Sequence, residues 1–193
     1  MANTTFEVDK ELFVQGSGSL GQALRIIGNN TLSNAITKSI QAFQEIDVSY
    51  KKAVANDGKI IGTERSDILF RTDILFDLMI ISWKILSEGE TEYRIKIENK
   101  KNDFNIDIIE SNGIWKLNGH LTPNMNKPVK NFTEIYNTKL APEVINLLQN
   151  YKKACEDGVL DGDEKELLKK GIKQVLYYVL FLRFQLEKCL INN

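Results

Sequence analysis

The residues best suited to chemistry sit in one acidic bend, Asp157-Gly158-Val159-Leu160-Asp161-Gly162-Asp163-Glu164. An acid, a glycine, an apolar residue and a closing glutamate in this order resemble the second half of a calcium loop. Calcium takes about six to eight oxygen ligands. Counting back, the positions for the first two side-chain donors hold Lys153 and Cys155, and the equivalent stretch near Ala53 and Ala55 holds none. Asp157, Asp161, Asp163 and Glu164 are therefore weak metal candidates, and a turn followed by a helix cap is the expected reading. His120 is the only histidine, close to Trp115. A lone imidazole with no Cys-x-x-Cys, His-Glu-x-x-His or Gly-x-Ser-x-Gly in the chain reads as a surface or packing residue rather than a base. Gly16-Ser17-Gly18-Ser19-Leu20-Gly21 lacks the lysine of a phosphate loop, so no cofactor is implied. The expectation is a protein that binds rather than catalyses.

Three sets of residues are candidates for binding. Tyr177, Phe181 and Phe184 lie in a long apolar segment whose uncovered face would suit a protein partner or a second copy of the chain. Trp115, His120 and Tyr136 would line a ligand pocket if the strands pack over the helices near them. Lys100, Lys101, Lys127 and Lys130 offer a small basic patch with aromatic residues nearby, the composition of a nucleic-acid surface. Glu92, Glu98, Asp103, Asp107 and Glu110 share that segment, which favours a solvated surface of mixed charge.

The elements that position these residues are organised by a repeat. Tyr50-Lys51-Lys52-Ala53 opens a stretch that returns as Tyr151-Lys152-Lys153-Ala154. After a one-residue deletion, Asp57, Gly58, Gly62 and Glu64 match Asp157, Gly158, Gly162 and Glu164. This Asp-Gly bend resembles a local signature of TerB-like domains and of several phage-encoded helical proteins. The resemblance is confined to the bends and implies only a turn between helices.

Before the first bend, Ile36, Ile40, Phe43, Ile46, Tyr50 and Val54 recur at three and four residues, one face of a helix that Thr31 or Ser33 can cap. The returning helix is expected from Gly62 to about Ser87. In the second copy, Ala141-Pro142-Glu143 starts a helix to about Glu156. Asp161 with Glu164 forms a capping box for the last helix, which extends to about Leu190.

Between the copies the period changes to two. Tyr93, Ile95 and Ile97 alternate with charged residues, and so do Phe104, Ile106 and Ile108. Ser111-Asn112-Gly113 then turns the chain into a strand over residues 114–121. Residues 122–136, with Pro123 and Pro128, read as a long connection. Ahead of the repeat, residues 5–15 suggest a short strand or arm that Gly16-Ser17-Gly18-Ser19 ends, with a short helix over 20–27.

The fold expected is α+β, mainly α: duplicated antiparallel helical hairpins forming a four-helix bundle, with a three-stranded antiparallel β-meander inserted between them. The segments are an arm and short helix (1–30), a first hairpin (31–89), the meander and connection (90–140) and a second hairpin (141–193).

Residues 68–86 and 172–190 each hold 13 apolar residues in 19, with four charges apiece. Four central charges oppose membrane insertion by roughly 10 kcal/mol, while the apolar residues return roughly 6 kcal/mol, so these helices are expected to be buried in protein. The net charge of -1 supplies no general attraction to nucleic acid or anionic lipid. The first ten residues lack a signal-peptide core, which suggests the cytoplasm, where Cys155 and Cys189 would be free thiols.

Overall fold

The computed structural model describes residues 12–20, 23–25, 31–55, 62–87, 90–99, 104–121, 136–156 and 158–191. The described residues are mainly helical with one antiparallel sheet, an α+β arrangement. In order, the elements are β1 (Leu12–Ser19), α1 (Leu32–Ala55), α2 (Gly62–Leu86), β2 (Glu92–Asn99), β3 (Phe104–Ser111), β4 (Ile114–Leu121), α3 (Ala141–Ala154) and α4 (Gly162–Ile191). A wide π-type turn, Tyr136–Leu140, runs directly into α3.

Local chemistry sets most of these limits. Thr31 caps α1, its Oγ1 accepting from the Asn34 N–H at 3.2 Å. Pro142 lies in the first turn of α3, where its missing N–H costs nothing. Asp161 and Glu164 form the anticipated capping box: the Glu164 N–H donates to Asp161 Oδ1 at 2.8 Å, and the Asp161 N–H donates to Glu164 Oε1 at 3.0 Å. Gly158 has φ +80, the left-handed conformation that suits a bend after a helix. The corresponding bend at Asp57-Gly58, and Asp157 itself, lie outside the described residues.

The meander β2, β3 and β4 occupies the span its alternation indicated. Asn112 and Gly113, at φ +56 and +83, form the two-residue turn joining β3 to β4. Ile95, Ile97, Ile106, Ile108 and Leu117 bury one face of it. β1 then pairs with β4, so the sheet has four strands in the order β1-β4-β3-β2.

Here the glycine and serine residues expected to end the first strand lie within it. Gly16, Ser17 and Gly18 pair with Leu117, Lys116 and Trp115. The backbone supplies the ladder hydrogen bonds whatever the side chains, and β4 offers them a complete template. Of the short helix expected over 20–27, residues 23–25 are described as helical, after a Leu24 N–H to Leu20 carbonyl bond of 2.9 Å.

α1 packs on α2, α3 on α4, and α2 against α4, with a lighter contact between α1 and α3. Ile74, Leu75, Phe76, Leu78, Met79, Ile80 and Ile81 of α2 are all buried, so this part of the helix is covered on every side. Ile36 and Ile40 of α1, Leu75 and Met79 of α2, Val144 and Leu147 of α3 and Val175 of α4 meet around a void of only about 10 Å³. Among the described residues no helix is long and apolar enough to cross a membrane.

Candidate functional site

Among the described residues, two polar clusters and a cleft bring together side chains able to do chemistry. The first cluster lies between α2 and the sheet. Asp77 and Lys84 are seven residues apart, two helical turns, and so share one face of α2. That face meets Trp115, Glu110 and Tyr93, which stand side by side on β4, β3 and β2. Trp115 Nε1 donates to Asp77 Oδ1 at 2.7 Å, and its ring lies 5.0 Å from that of Phe76. Burial pushes the Asp77 carboxyl up to about 6, against the opposing effect of the indole hydrogen bond. Glu110, 1% exposed, accepts from Lys84 Nζ and from the Gly113 N–H, both at 2.8 Å. Lys84 also sits 5.4 Å from the centre of the Tyr93 ring. These contacts tie helix, sheet and turn together, with each carboxylate engaged by a donor.

The second cluster secures the turn before α3. The Tyr136 hydroxyl donates to Asp47 Oδ1 at 2.5 Å, and its ring stacks between Tyr50, at 4.4 Å, and Phe43, at 5.6 Å. Asn137 Nδ2 donates to the Tyr50 hydroxyl at 3.2 Å, while Lys51 pairs with Asp47 at 2.9 Å. Burial and then the Asp47 bond raise the Tyr136 hydroxyl well above its ordinary value, so it stays protonated as the donor. The Tyr136 bond and the Lys51 charge hold the Asp47 carboxyl low.

The cleft opens where β2 meets α4. It has a volume of about 560 Å³ and is lined by Lys96, Ile97, Glu98, Lys173, Gln174, Tyr177 and Tyr178. The rings of Tyr177 and Tyr178 lie 4.9 Å apart and tilted by 38°. Lys173 and Lys169 stand 5.5 and 4.9 Å from the centre of the Trp83 ring, an arrangement that places two ammonium groups beside an aromatic face. Lys96 pairs with Glu98 along the strand at 3.0 Å, which raises the Lys96 ammonium above its ordinary value.

The residues singled out from sequence fall in different places. Tyr177 lines the cleft and is 7% exposed. Phe181 and Phe184 are farther along α4, with side chains outside the description. Trp115 is bonded to α2 and Tyr136 to α1, so these two have separate partners. His120 lies on β4 opposite Asn105 and Phe13, and its side chain is likewise outside the description. Lys100, Lys101, Lys127 and Lys130 are outside the described residues altogether.

Asp161 and Glu164 use carboxylate oxygens in the helix cap, and Asp163 is exposed in the first turn of α4. Among the described residues no three His, Cys, Asp or Glu side chains group as a metal site. Cys155 is a free, exposed thiol.

Lys96, Glu98, Lys173 and Gln174 were not among the sequence candidates. Their local signal is only that of a polar face on a strand or helix, and nothing in it says that the two faces adjoin. No family model, curated protein or solved structure matches the chain.

Proposed function

We propose that the protein is a non-enzymatic interaction module that holds a macromolecular partner in the cleft between β2 and α4. The supporting observation is the cleft itself. It joins an adjacent tyrosine pair, Tyr177 and Tyr178, to a polar rim of Lys96, Glu98, Lys173 and Gln174. Aromatic floors with charged margins are the usual anatomy of protein-binding surfaces. The arrangement of the helices is part of the same proposal: α1 with α2 and α3 with α4 are two copies of one ancestral hairpin, closed into a four-helix bundle. The repeated Asp-Gly bends and the meeting of residues from all four helices around one small void support it.

A photo-crosslinking amino acid placed at Gln174, with the exposed Ile145 as the control position, tests the proposal in native cells. A discrete adduct is expected from Gln174 alone, and it should be lost when Tyr178 is changed to Ala. Equal labelling from both positions, or none from either, refutes the binding role.

The volume favours a second reading, because small-ligand sites span roughly 300–1,000 Å³. A metabolite bound there would raise the melting temperature of the chain, and the substitution Lys173→Glu would remove that rise.

A further inference from the structure

The cleft lies at the edge of the sheet formed by β2, which no other strand covers among the described residues, and the register shows which backbone groups face outward there. In the two-residue turn Asn112-Gly113, the flanking Ser111 and Ile114 form a hydrogen-bonded pair. Alternation then directs the N–H and C=O groups of Ile109, Asp107 and Asn105 toward β4. Those of Glu110, Ile108 and Ile106 point toward β2. The close approach of the Asn105 carbonyl to Gly119 agrees with this assignment.

On β2, the groups of Tyr93, Ile95 and Ile97 are therefore used by β3, and those of Glu92, Arg94, Lys96 and Glu98 point away from the sheet. Among the described residues no strand pairs with them. Their side chains are exposed, whereas Ile95 and Ile97 are buried on the opposite face. The exposed face of this edge reads acid, base, base, acid.

We infer that the partner of the cleft is an extended peptide strand that adds to the free edge of β2, which rests on the binding role proposed above. It carries acidic side chains opposite Arg94 and Lys96 and basic ones opposite Glu92 and Glu98, with apolar side chains between them. The apolar residue beside Ile97 enters the cleft against Tyr177 and Tyr178, and the backbone bonds run to Arg94, Lys96 and Glu98.

Opposite charges facing each other across strands are stabilising and like charges are not. In the register of full overlap that rule favours this partner over a second copy of the chain. Full antiparallel overlap of two β2 strands would set Glu92 against Glu98 and Arg94 against Lys96. The contact between Lys96 and Glu98 does not compete strongly, since both side chains are largely exposed and such pairs are weak.

The test uses the full chain and two labelled peptides, Lys-Val-Glu-Val-Glu-Val-Lys and its charge-swapped form Glu-Val-Lys-Val-Lys-Val-Glu, read by fluorescence anisotropy. Each is palindromic, so parallel and antiparallel addition are both sampled. The first should bind at least about tenfold more tightly. The double substitution Arg94→Glu with Lys96→Glu should reverse the preference.

Lys96→Pro removes an outward N–H that β3 does not use. It should abolish binding of both peptides while circular dichroism shows the sheet intact. If that variant does not fold, the charge reversal decides. Equal affinity for the two peptides, binding of neither, a preference unchanged by the double substitution, or full affinity in folded Lys96→Pro overturns the strand inference. If the Gln174 adduct persists in any of these cases, the binding role survives and only the partner class is wrong. If the adduct is absent as well, both are wrong.

Discussion

Replacing Asp77 with Asn should make the protein more stable at neutral pH, although it removes a charge that accepts a hydrogen bond from Trp115. The carboxyl is held between α2 and the sheet, and burial moves it from 3.8 to about 6. The native state therefore binds this proton more tightly than the unfolded chain does. The stability linked to it is fully present below about pH 4 and is lost as pH rises through about 6. At about 1.4 kcal/mol per pH unit, the interval between the two values corresponds to roughly 3 kcal/mol.

An amide at this position imitates the protonated acid. Its oxygen can still accept from the indole N–H, and nothing has to be ionised. Urea denaturation of both proteins from pH 4 to pH 8 isolates the effect, because every other titrating group is common to the pair. The two should have similar stability near pH 4, and the Asp77→Asn protein should be ahead by up to roughly 3 kcal/mol at pH 7. A constant difference across the range would show that Asp77 does not titrate between native and unfolded states, and the account of the cluster would fail.

Tyr136→Phe deletes the hydroxyl bonded to Asp47 but keeps the ring stack, and should cost about 1–2 kcal/mol in chemical denaturation. Tyr136→Ala also removes the contacts with Phe43 and Tyr50 and should cost about 3–5 kcal/mol. Equal losses would mean that stacking contributes nothing. Gly119→Ala would place a Cβ 2.1 Å from the Asn105 carbonyl oxygen between paired strands, so a loss of about 3 kcal/mol or more is expected. Gly162→Ala meets open space and should be neutral within about 0.5 kcal/mol in the same assay. Asp161→Ala should lower stability by about 1 kcal/mol through loss of the cap. Added calcium should leave the wild-type melting temperature unchanged, and a rise abolished by this substitution would restore the metal reading.

Elements whose residues signal to near neighbours were legible before any coordinates. The alternation of Tyr93, Ile95 and Ile97 marks β2 and its inner face, because side chains of a strand point alternately to its two sides. Asp161 and Glu164 mark the start of α4, because a capping box closes within one turn. The high apolar content of residues 68–86, 13 of 19, already required neighbours around α2, and the structure supplies them around residues 74–81.

The first strand was misjudged at Gly16-Ser17-Gly18-Ser19, where weak intrinsic preference is overridden by the backbone template of β4. Trp115 and Tyr136 were expected to line one ligand pocket with His120, but each is bonded to a different helix. Their partners Asp77 and Asp47 are 38 and 89 positions away and carry no local sign of the pairing.

Outside β1 and the turn Tyr136–Leu140, the sequence by itself determined which of the described segments are helix or strand, since that follows from period and turn chemistry. Tertiary structure alone decided that β1 takes the β4 edge and that, among the described residues, β2 has no second strand beside it, and that α4 lies near β2 to form the cleft. The reason is physical. Periodicity records that a face must be covered, whereas the identity of what covers it depends on the packing of all the elements at once.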